Sequence, residues 1–247
     1  MNAVHQLYEY RKSMSTTVYS SRGWKVKRCE KCRIGLSHCI CDLTPNRKSN
    51  AGFLLLMYDT EILKPSNTGK LIADVVPDTF AFLWSRTQEN EALLAVLNDE
   101  QWQPYVVFPE QYADEERQVF NKKINVDQGK RPLFIMLDGS WREAKKMFRK
   151  SPYLNDFPVV SFNPDITNNE KITSRYQIRQ ANVTNQFATA EVAARVLDMT
   201  GELENAEVLD LWFDVFNLQY RQSVCQKNMG NPHAIEDYQT YIESLKS

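Results

Sequence analysis

The chain has 247 residues, which is long enough to bury a sizeable hydrophobic core, and its formal net charge at pH 7 is −1. A net charge so near zero argues against a protein that coats nucleic acid with its whole surface. No apolar run approaches the ~20 residues of a membrane-spanning helix, and the first residues lack the apolar centre of a signal peptide. The sequence therefore predicts a cytoplasmic protein with no membrane partner.

Charge is segregated along the chain. Residues 22–33 contain six basic residues and one acid, whereas residues 191–214 contain seven acids and only Arg195. A basic surface with an acidic far side is typical of local polyanion binding, although exposed helices also segregate charge without any such role. The candidate polyanion-binding residues of the first segment are Arg22, Lys25, Lys27 and Arg28.

Four of the five cysteines lie within this basic segment or directly after it. Cys29, Cys32, Cys39 and Cys41 are arranged as C-x2-C and C-x-C with six residues between the two pairs. Four thiolates so close in sequence can surround one tetrahedral zinc ion, as in structural four-cysteine sites. Disulfide bonds are the alternative, which a reducing cytoplasm disfavours. The spacing predicts a structural zinc knuckle, with His38 as a substitute ligand at most.

From residue 51 onward, apolar strands alternate with helical patterns. This alternation is typical of an α/β domain with a mostly parallel sheet. None of the connections carries the G-x-G-x-x-G or P-loop motif, which argues against a dinucleotide-binding site and an NTPase. Strands are predicted at residues 53–57, 80–84, 105–108, 133–137 and 157–162, and helices at residues 91–97, 114–121, 202–229 and 233–245.

The pattern divides the chain into two parts. Residues 1–50 are predicted to form an N-terminal arm, either a short helix or a loosely held segment, and the zinc knuckle. Residues 51–247 are predicted to form the α/β domain and its C-terminal helices. Nothing in the sequence indicates an obligate protein partner.

A strand, a turn and a helix follow one another in residues 133–150. Five apolar residues form a strand that is buried on both faces, Asp138 ends it, and Ser140 can cap the helix that begins at Trp141. In open α/β sheets, ligands bind outside the carboxyl ends of the strands, which makes this turn a candidate site. The helix also carries basic residues that could bind a polyanion or form only a solvated face, namely Arg142, Lys145, Lys146 and Arg149.

Two further segments offer anion-binding groups. Ser66 or Asn67 is predicted to cap the helix that follows strand 53–57, where free N–H groups could receive a carboxylate. Residues 171–179 supply three cations in a loop, and Thr189 is predicted to cap the next helix.

Six short motifs occur in order between residues 29 and 196. They are the cysteine cluster, PSNTGKL (65–71), VVFP (106–109), DGSW (138–141), SRYQIR (174–179) and ATAEVAA (188–194). Together they resemble the DTW-domain family, the tRNA-uridine aminocarboxypropyltransferases, which is named for Asp-x-Thr-Trp. Two departures are serine for threonine at Ser140, which keeps the hydroxyl, and Ala188, where the family has serine.

The resemblance implies a reaction, a fold and two bound groups. The reaction is transfer of the 3-amino-3-carboxypropyl group of S-adenosylmethionine to N3 of a tRNA uridine, with release of methylthioadenosine. The fold is a SPOUT-related α/β fold, with or without a knot, that carries a structural zinc. The partner is tRNA, which is expected to contact the basic residues named above.

The reaction sets demands that specific residues could meet. Uridine N3 must lose a proton, and Asp138 could be the general base or only brace the turn. Trp141 could offer a π-face to the sulfonium, or only anchor its helix. Ser140 is assigned, together with Asp138 and Trp141, to the catalytic residues.

The remaining assignments concern the binding of S-adenosylmethionine. Arg175 or Arg179 could clamp its carboxylate, or instead bind a tRNA phosphate. Adenine is expected near Phe108, Pro109 and Leu137. The resemblance adds four further residues to this binding site, namely Asn67, Thr68, Thr189 and Glu191.

Two functions from other classes stay open at this point. One is a SPOUT-like RNA methyltransferase, which would release S-adenosylhomocysteine instead of methylthioadenosine. The other is a non-catalytic zinc-containing RNA-binding protein, which would not bind S-adenosylmethionine.

Overall fold

A parallel sheet flanked by helices organises the chain. The computed structural model describes residues 2–16, 25–161, 187–224 and 230–246. The helices are α1 (Ala3–Ser13), α2 (Gly69–Val75), α3 (Glu91–Leu97), α4 (Trp141–Arg149), α5 (Thr189–Met199), α6 (Leu203–Ser223) and α7 (Ala234–Ser244). The strands are β1 (Gly52–Met57), β2 (Thr79–Leu83), β3 (Trp102–Val107), β4 (Val119–Phe120), β5 (Arg131–Asp138) and β6 (Val159–Val160).

The strand order is β2-β1-β5-β3-β6-β4, and all neighbouring pairs among these strands are parallel. β5 pairs with β1 on one side and with β3 on the other. The register aligns the carboxyl ends, since Met57 of β1 is level with Leu83 of β2 and with Asp138 of β5. The predicted α/β fold with a mostly parallel sheet and C-terminal helices is confirmed. The SPOUT-type knot stays a prediction.

Alternate residues of the central strands face two hydrophobic layers. Phe53 of β1 and Phe134 of β5 belong to the layer closed by α2, α5 and α6. Leu54 and Ile135, their neighbours in the chain, face the layer closed by α3 and α4. Both faces are buried, and this is why these strands are continuous apolar runs in the sequence. The N-terminal part also joins the first layer, for example through Ile34.

The helix predicted at residues 114–121 is wrong. This segment contains turns, and it ends in the short edge strand β4, which pairs with β6. Arg117 fixes the turn because its guanidinium donates to the carbonyl oxygens of Leu154 and Phe157. The strand predicted at residues 157–162 is shorter than expected, since β6 has only two residues.

Two of the three predicted helix caps are also wrong. Ser140 is the N-cap of α4, as predicted, and its backbone N–H and hydroxyl both donate to the carboxylate of Glu143. In contrast, Thr68 stands at the N-cap of α2 in place of Ser66 or Asn67, and Ala188 stands at the N-cap of α5 in place of Thr189. The side chains of Asn67 and Thr189 bind Asp138 instead.

The two predicted C-terminal helices are present as α6 and α7. The prediction for the first of them extends through residues 225–229, which lie outside the described part of the chain. None of the helices in the described ranges is both long enough and apolar enough to cross a membrane.

Candidate active site and metal centre

Asp138, at the carboxyl end of the central strand, is only 3% exposed. Its Oδ2 accepts a hydrogen bond from Asn67 Nδ2 at 2.7 Å, and its Oδ1 accepts one from Thr189 Oγ1 at 2.6 Å. The carboxylate therefore joins three separate parts of the chain, namely the end of β5, the loop before α2 and the first turn of α5. The structure thus brings together three residues that the sequence analysis assigned to the site.

Gly69 explains how the loop before α2 approaches Asp138 so closely. A Cβ atom at this position would lie 2.7 Å from Asp138 Oδ2, closer than any real Cβ contact. A residue with a side chain would push the carboxylate away from its partners. The glycine of PSNTGKL is therefore required by contact with a residue that is distant in sequence, which the sequence alone did not reveal.

The loop before α2 contains a second buried acid that the sequence analysis missed. Glu61 is 2% exposed, and its carboxylate lies 2.7 Å from the ammonium of Lys64 and 3.3 Å from Asn67 Nδ2. Asn67 thus bridges the two buried carboxylates, Glu61 and Asp138. Glu61 follows the strand among polar loop residues, and no sequence signal marks it as buried.

The starts of α4 and α5 are organised alike. Glu143 accepts from the exposed Ser140, and the buried Glu191 accepts from the backbone N–H of Ala188 at 2.8 Å. Thr68 is buried beside the same end of α5, where its Oγ1 lies 3.5 Å from the backbone nitrogen of Ala190. Glu191 and Thr68, two residues assigned to the site, therefore brace the helix start that carries Thr189.

An aromatic group lies on the other side of the turn. Phe108, which directly follows β3, is stacked on Trp141 with 5.5 Å between ring centroids and on Phe148 with 4.4 Å. Tyr112 packs edge-on against Trp141 at 5.6 Å. Pro109 and Leu137 are half-buried beside this group. A surface cavity of about 340 Å³ is lined by Phe108, Tyr112, Arg142, Lys145, Phe148 and Arg149.

The basic residues of α4 differ in their surroundings. Arg142 and Arg149 are exposed, whereas Lys145 and Lys146 are half-buried and hold their ammonium groups near aromatic rings. In the N-terminal basic segment, Lys25 and Lys27 are exposed. Arg28 is half-buried and donates to the carbonyl oxygen of Arg33 at 3.2 Å. Arg22, Arg175 and Arg179 lie outside the described residues.

The four cysteines form a cluster that could hold a metal ion. Their Sγ atoms all lie within 4.8 Å of one another, with 3.6 Å between Cys29 and Cys41 and 3.7 Å between Cys32 and Cys39. Four thiolates around a tetrahedral zinc at Zn–S distances of about 2.3 Å lie about 3.8 Å apart. The cluster therefore fits zinc, as the spacing of the cysteines predicts.

The surroundings of Cys29 favour its thiolate. Burial opposes the charged form, but the backbone N–H groups of Cys32 and Lys31, together with the neighbouring thiols, outweigh it and lower the pKa of Cys29 to about 7. A metal binds the thiolate and not the thiol, so the lowered pKa of Cys29 suits a metal ligand.

Two buried cations connect the cysteine cluster to the loop before α2. Arg33 is 4% exposed, has a left-handed backbone (φ 62°), and donates through Nη1 to the carbonyl oxygen of Ile62 at 2.6 Å. Lys70 Nζ donates to the carbonyl oxygens of Cys32 at 2.6 Å and Pro65 at 3.0 Å. Burial lowers the pKa of Lys70 well below its usual value. The sequence analysis counted Arg33 only as part of the basic segment and gave Lys70 no role.

The DTW domain model matches residues 26–221 of the chain. The matched range includes the cysteine cluster, the loop with Asn67, the turn from Asp138 to Trp141 and the start of α5. No solved structure matches the chain. Because the match covers most of its length, the chain belongs to the DTW-domain family, which includes tRNA-uridine aminocarboxypropyltransferases.

Proposed function

We propose that this protein is a tRNA-uridine aminocarboxypropyltransferase that uses S-adenosylmethionine. Family membership supports a role in tRNA modification in general. The observation that carries the more specific proposal is the convergence on Asp138 of three segments that resemble motifs of these transferases. These segments are DGSW, PSNTGKL and ATAEVAA, and they meet through the hydrogen bonds of Asn67 and Thr189 to the carboxylate.

The reaction joins a nitrogen to a carbon. N3 of the uridine gives up its proton and attacks the γ-carbon of the methionine part of S-adenosylmethionine. The bond between this carbon and sulfur breaks, and sulfur keeps the electron pair, so the charged sulfonium becomes the neutral thioether of methylthioadenosine. The site must therefore accept one proton, hold a cation next to a carbon and keep the two reactants aligned.

In this proposal, Asp138 receives the proton. Its Oδ2 accepts a hydrogen bond from Asn67 and its Oδ1 accepts one from Thr189. Asn67 and Thr189 hold the carboxylate in one orientation. A base held in this way loses little freedom when the substrate binds.

The aromatic group beside the turn suits the sulfonium and the adenine. Trp141 is half-buried and stacks one ring face on Phe108, and its indole is proposed to offer a π-face to the sulfonium, with the exposed Ser140 next to it. Adenine is proposed to lie near Phe108, Pro109 and Leu137. Thr68 and Glu191 keep the start of α5 in place. The clamp on the methionine carboxylate by Arg175 or Arg179 stays a prediction.

A product analysis tests this function. Incubation with S-adenosylmethionine and undermodified tRNA, followed by mass spectrometry of the nucleosides and the small molecules, is expected to give 3-(3-amino-3-carboxypropyl)uridine and methylthioadenosine in equal amounts. Release of S-adenosylhomocysteine with a methylated nucleoside would show a methyltransferase instead. tRNA binding without any product and without binding of S-adenosylmethionine would show a non-catalytic RNA-binding protein.

We expect one tightly bound zinc ion per chain, because the four Sγ atoms already have the spacing of a tetrahedral site. Metal analysis of protein purified without added zinc checks this, together with titration of the reactive thiols. Cys39→Ser is expected to lose the metal and lower thermal stability. The matched control is Cys225→Ser, which replaces the fifth cysteine of the chain and should keep the zinc. Protein without metal and with four readily alkylated thiols would contradict the assignment.

Affinity for tRNA is expected to fall steeply with salt, because the bound phosphates would contact the basic residues of α4 and of the segment from Lys25 to Arg28. Lys145→Glu and Lys146→Glu should each weaken tRNA binding and reduce the slope of log K against log salt by about one. Affinity for S-adenosylmethionine should be unchanged in Lys146→Glu, because the ammonium of Lys146 lies at the rings of Tyr58 and Trp84.

Lys130→Glu is the matched control for these charge reversals, since Lys130 is exposed beside the amino end of β5, away from the strand ends at the site. It should leave the salt dependence as it is. If tRNA affinity changes neither with salt nor with the charge reversals on α4, then tRNA occupies another surface.

Asp138→Asn removes the proton acceptor but keeps the shape of the side chain. The hydroxyl of Thr189 can rotate to accept from the new amide, while Asn67 continues to donate to its oxygen, so the fold should survive. If Asp138 is the base, single-turnover rates should fall by a factor on the order of 10² to 10⁴. The residual rate should rise with pH as uridine N3 ionises unaided.

Thr189→Val is the matched control for Asp138→Asn. It removes one hydrogen bond to the carboxylate and leaves the carboxylate itself in place, so it should slow turnover far less and keep the pH profile. The measurement is the single-turnover rate against pH at saturating S-adenosylmethionine. Near-wild-type rates for Asp138→Asn with an unchanged profile would leave Asp138 a positioning residue only.

A further inference from the structure

A second aromatic pair lies at the carboxyl edge of the sheet, outside the group assigned to the reaction. Tyr58 directly follows β1 and Trp84 directly follows β2. Their ring centroids are 5.8 Å apart, and the ring planes are inclined by only 22°. Both residues are half-buried, so each keeps part of its surface exposed to solvent. The proposed reaction gives neither of them a role.

The pair is held by the rigid ends of the strands. The backbone N–H of Tyr58 donates to the carbonyl oxygen of Asp138 at 2.9 Å, and that of Trp84 donates to the carbonyl oxygen of Met57 at 2.8 Å. The indole N–H of Trp84 donates to Ser151 Oγ at 2.8 Å. An indole ring that is fixed in this way loses little conformational entropy when another ring stacks on it.

Tyr58 also connects the pair to the candidate active site. A Cβ atom placed on Gly139 would lie 3.2 Å from the Cβ atom of Tyr58, so Tyr58 lies against the turn that carries Ser140 and Trp141. A molecule that contacts the aromatic pair therefore lies next to whatever occupies the site at Asp138.

A cation accompanies the pair. The ammonium of Lys146 lies 5.7 Å from the ring centroid of Tyr58 and 5.4 Å from that of Trp84. Lys145, the preceding residue of α4, lies 5.7 Å from the ring of Trp141. Two consecutive lysines of α4 thus place their ammonium groups near two separate aromatic groups. Their stems are flexible, so each ammonium can leave the ring face for a nearby phosphate.

Only part of the pair belongs to the core, since Tyr58 and Trp84 pack against the hydrophobic layer beneath α4 and stay half-buried. Ala144, Met147 and Phe148 of that helix are at most 6% exposed and already close its apolar face. A partly exposed aromatic pair with a cation beside it is the combination by which proteins bind unpaired nucleotides, since bases stack on the rings and a cation binds the backbone.

We propose that Tyr58, Trp84 and Lys146 bind an unpaired nucleotide next to the target uridine, with its base on the aromatic pair and its phosphate on Lys146. That the neighbouring uridine is the one that is modified rests on the proposed function, whereas the binding of an unpaired nucleotide does not. The consequence is that the enzyme recognises its uridine within a single-stranded stretch of at least two unstacked bases.

The test uses tRNA binding without S-adenosylmethionine, measured by fluorescence anisotropy at fixed salt. Trp84→Leu removes the ring and is expected to weaken binding of unmodified tRNA by about tenfold, because stacking contributes about 1–3 kcal/mol per base. Trp84→Phe keeps a ring and should retain most of the affinity. Ser151→Ala keeps the indole ring and removes only its hydrogen bond, so it shows how much of the effect of Trp84→Leu comes from that bond. Lys146→Gln should weaken binding and lower its salt dependence.

Phe80→Leu is the matched control, because Phe80 is a half-buried aromatic residue near the amino end of the same strand, β2. It should bind tRNA like the wild type. Oligouridine should reproduce the Trp84 dependence, whereas a blunt RNA duplex should not. Wild-type affinity of a folded Trp84→Leu protein would overturn the proposal, as would equal losses in Phe80→Leu or equal ring dependence with the duplex.

The outcomes separate this proposal from the proposed function. Ring-dependent tRNA binding without any aminocarboxypropyl product would contradict the function and support the nucleotide site. Normal product formation with ring-independent binding would support the function and overturn the nucleotide site.

Discussion

The buried carboxylate of Asp138 is the constraint on which the rest of the site depends. A buried carboxylate is strongly destabilising unless donors satisfy it, and hydrogen bonds to a charged group contribute roughly 1.5–3 kcal/mol each. Asn67 and Thr189 supply these donors from segments that lie 71 and 51 residues away in the chain. The position of the loop before α2, the start of α5 and the need for glycine at residue 69 all follow from this one group.

The same loop also connects the cysteine cluster to the site. Arg33 and Lys70 are buried cations that donate to backbone carbonyls across the boundary between the cluster and the loop. Lys70 lies over the ring of Phe216 at 4.6 Å, which further stabilises its charge in a buried position. A metal at the cysteines would fix the carbonyl of Cys32, which fixes Lys70, and Lys70 holds the loop that carries Asn67. A structural metal can therefore influence a reaction without touching any reactant.

The sequence predicted those features whose signals are local. The strands around residues 53–57 and 133–137 are apolar runs that are buried on both faces, α4 has its cap and amphipathic pattern within ten residues, and the cysteines are close neighbours in sequence. The errors occur where a distant partner outweighs a local preference. Asn67 and Thr189 are good capping residues, but their side chains donate to the carboxylate of Asp138 instead.

Residues 114–121 illustrate the same competition in the backbone. Their charged, amphipathic pattern indicates a helix, yet the guanidinium of Arg117 satisfies two carbonyl groups of the segment before β6. That contact forms between segments that meet because β6 pairs with β3, so a local stretch of sequence around Arg117 cannot reveal it. The sequence analysis did not identify the burial of Glu61, Arg33 and Lys70 for the same reason. A buried charged residue and an exposed one cannot be distinguished in a sequence until their partners are known.

The parallel sheet explains how one short helix lies beside both of the proposed binding sites. Tyr58, Trp84 and Phe108 each directly follow a strand, and Trp141 lies just beyond the end of β5. Since parallel strands end at the same edge, four consecutive strands deliver these four rings to one side of the sheet. Successive residues of a helix point about 100° apart, so Lys145 and Lys146 reach the groups on either side of α4. The proposed binding of a polyanion and of an unpaired base along this edge therefore requires no additional domain, only the choice of residue at each strand end.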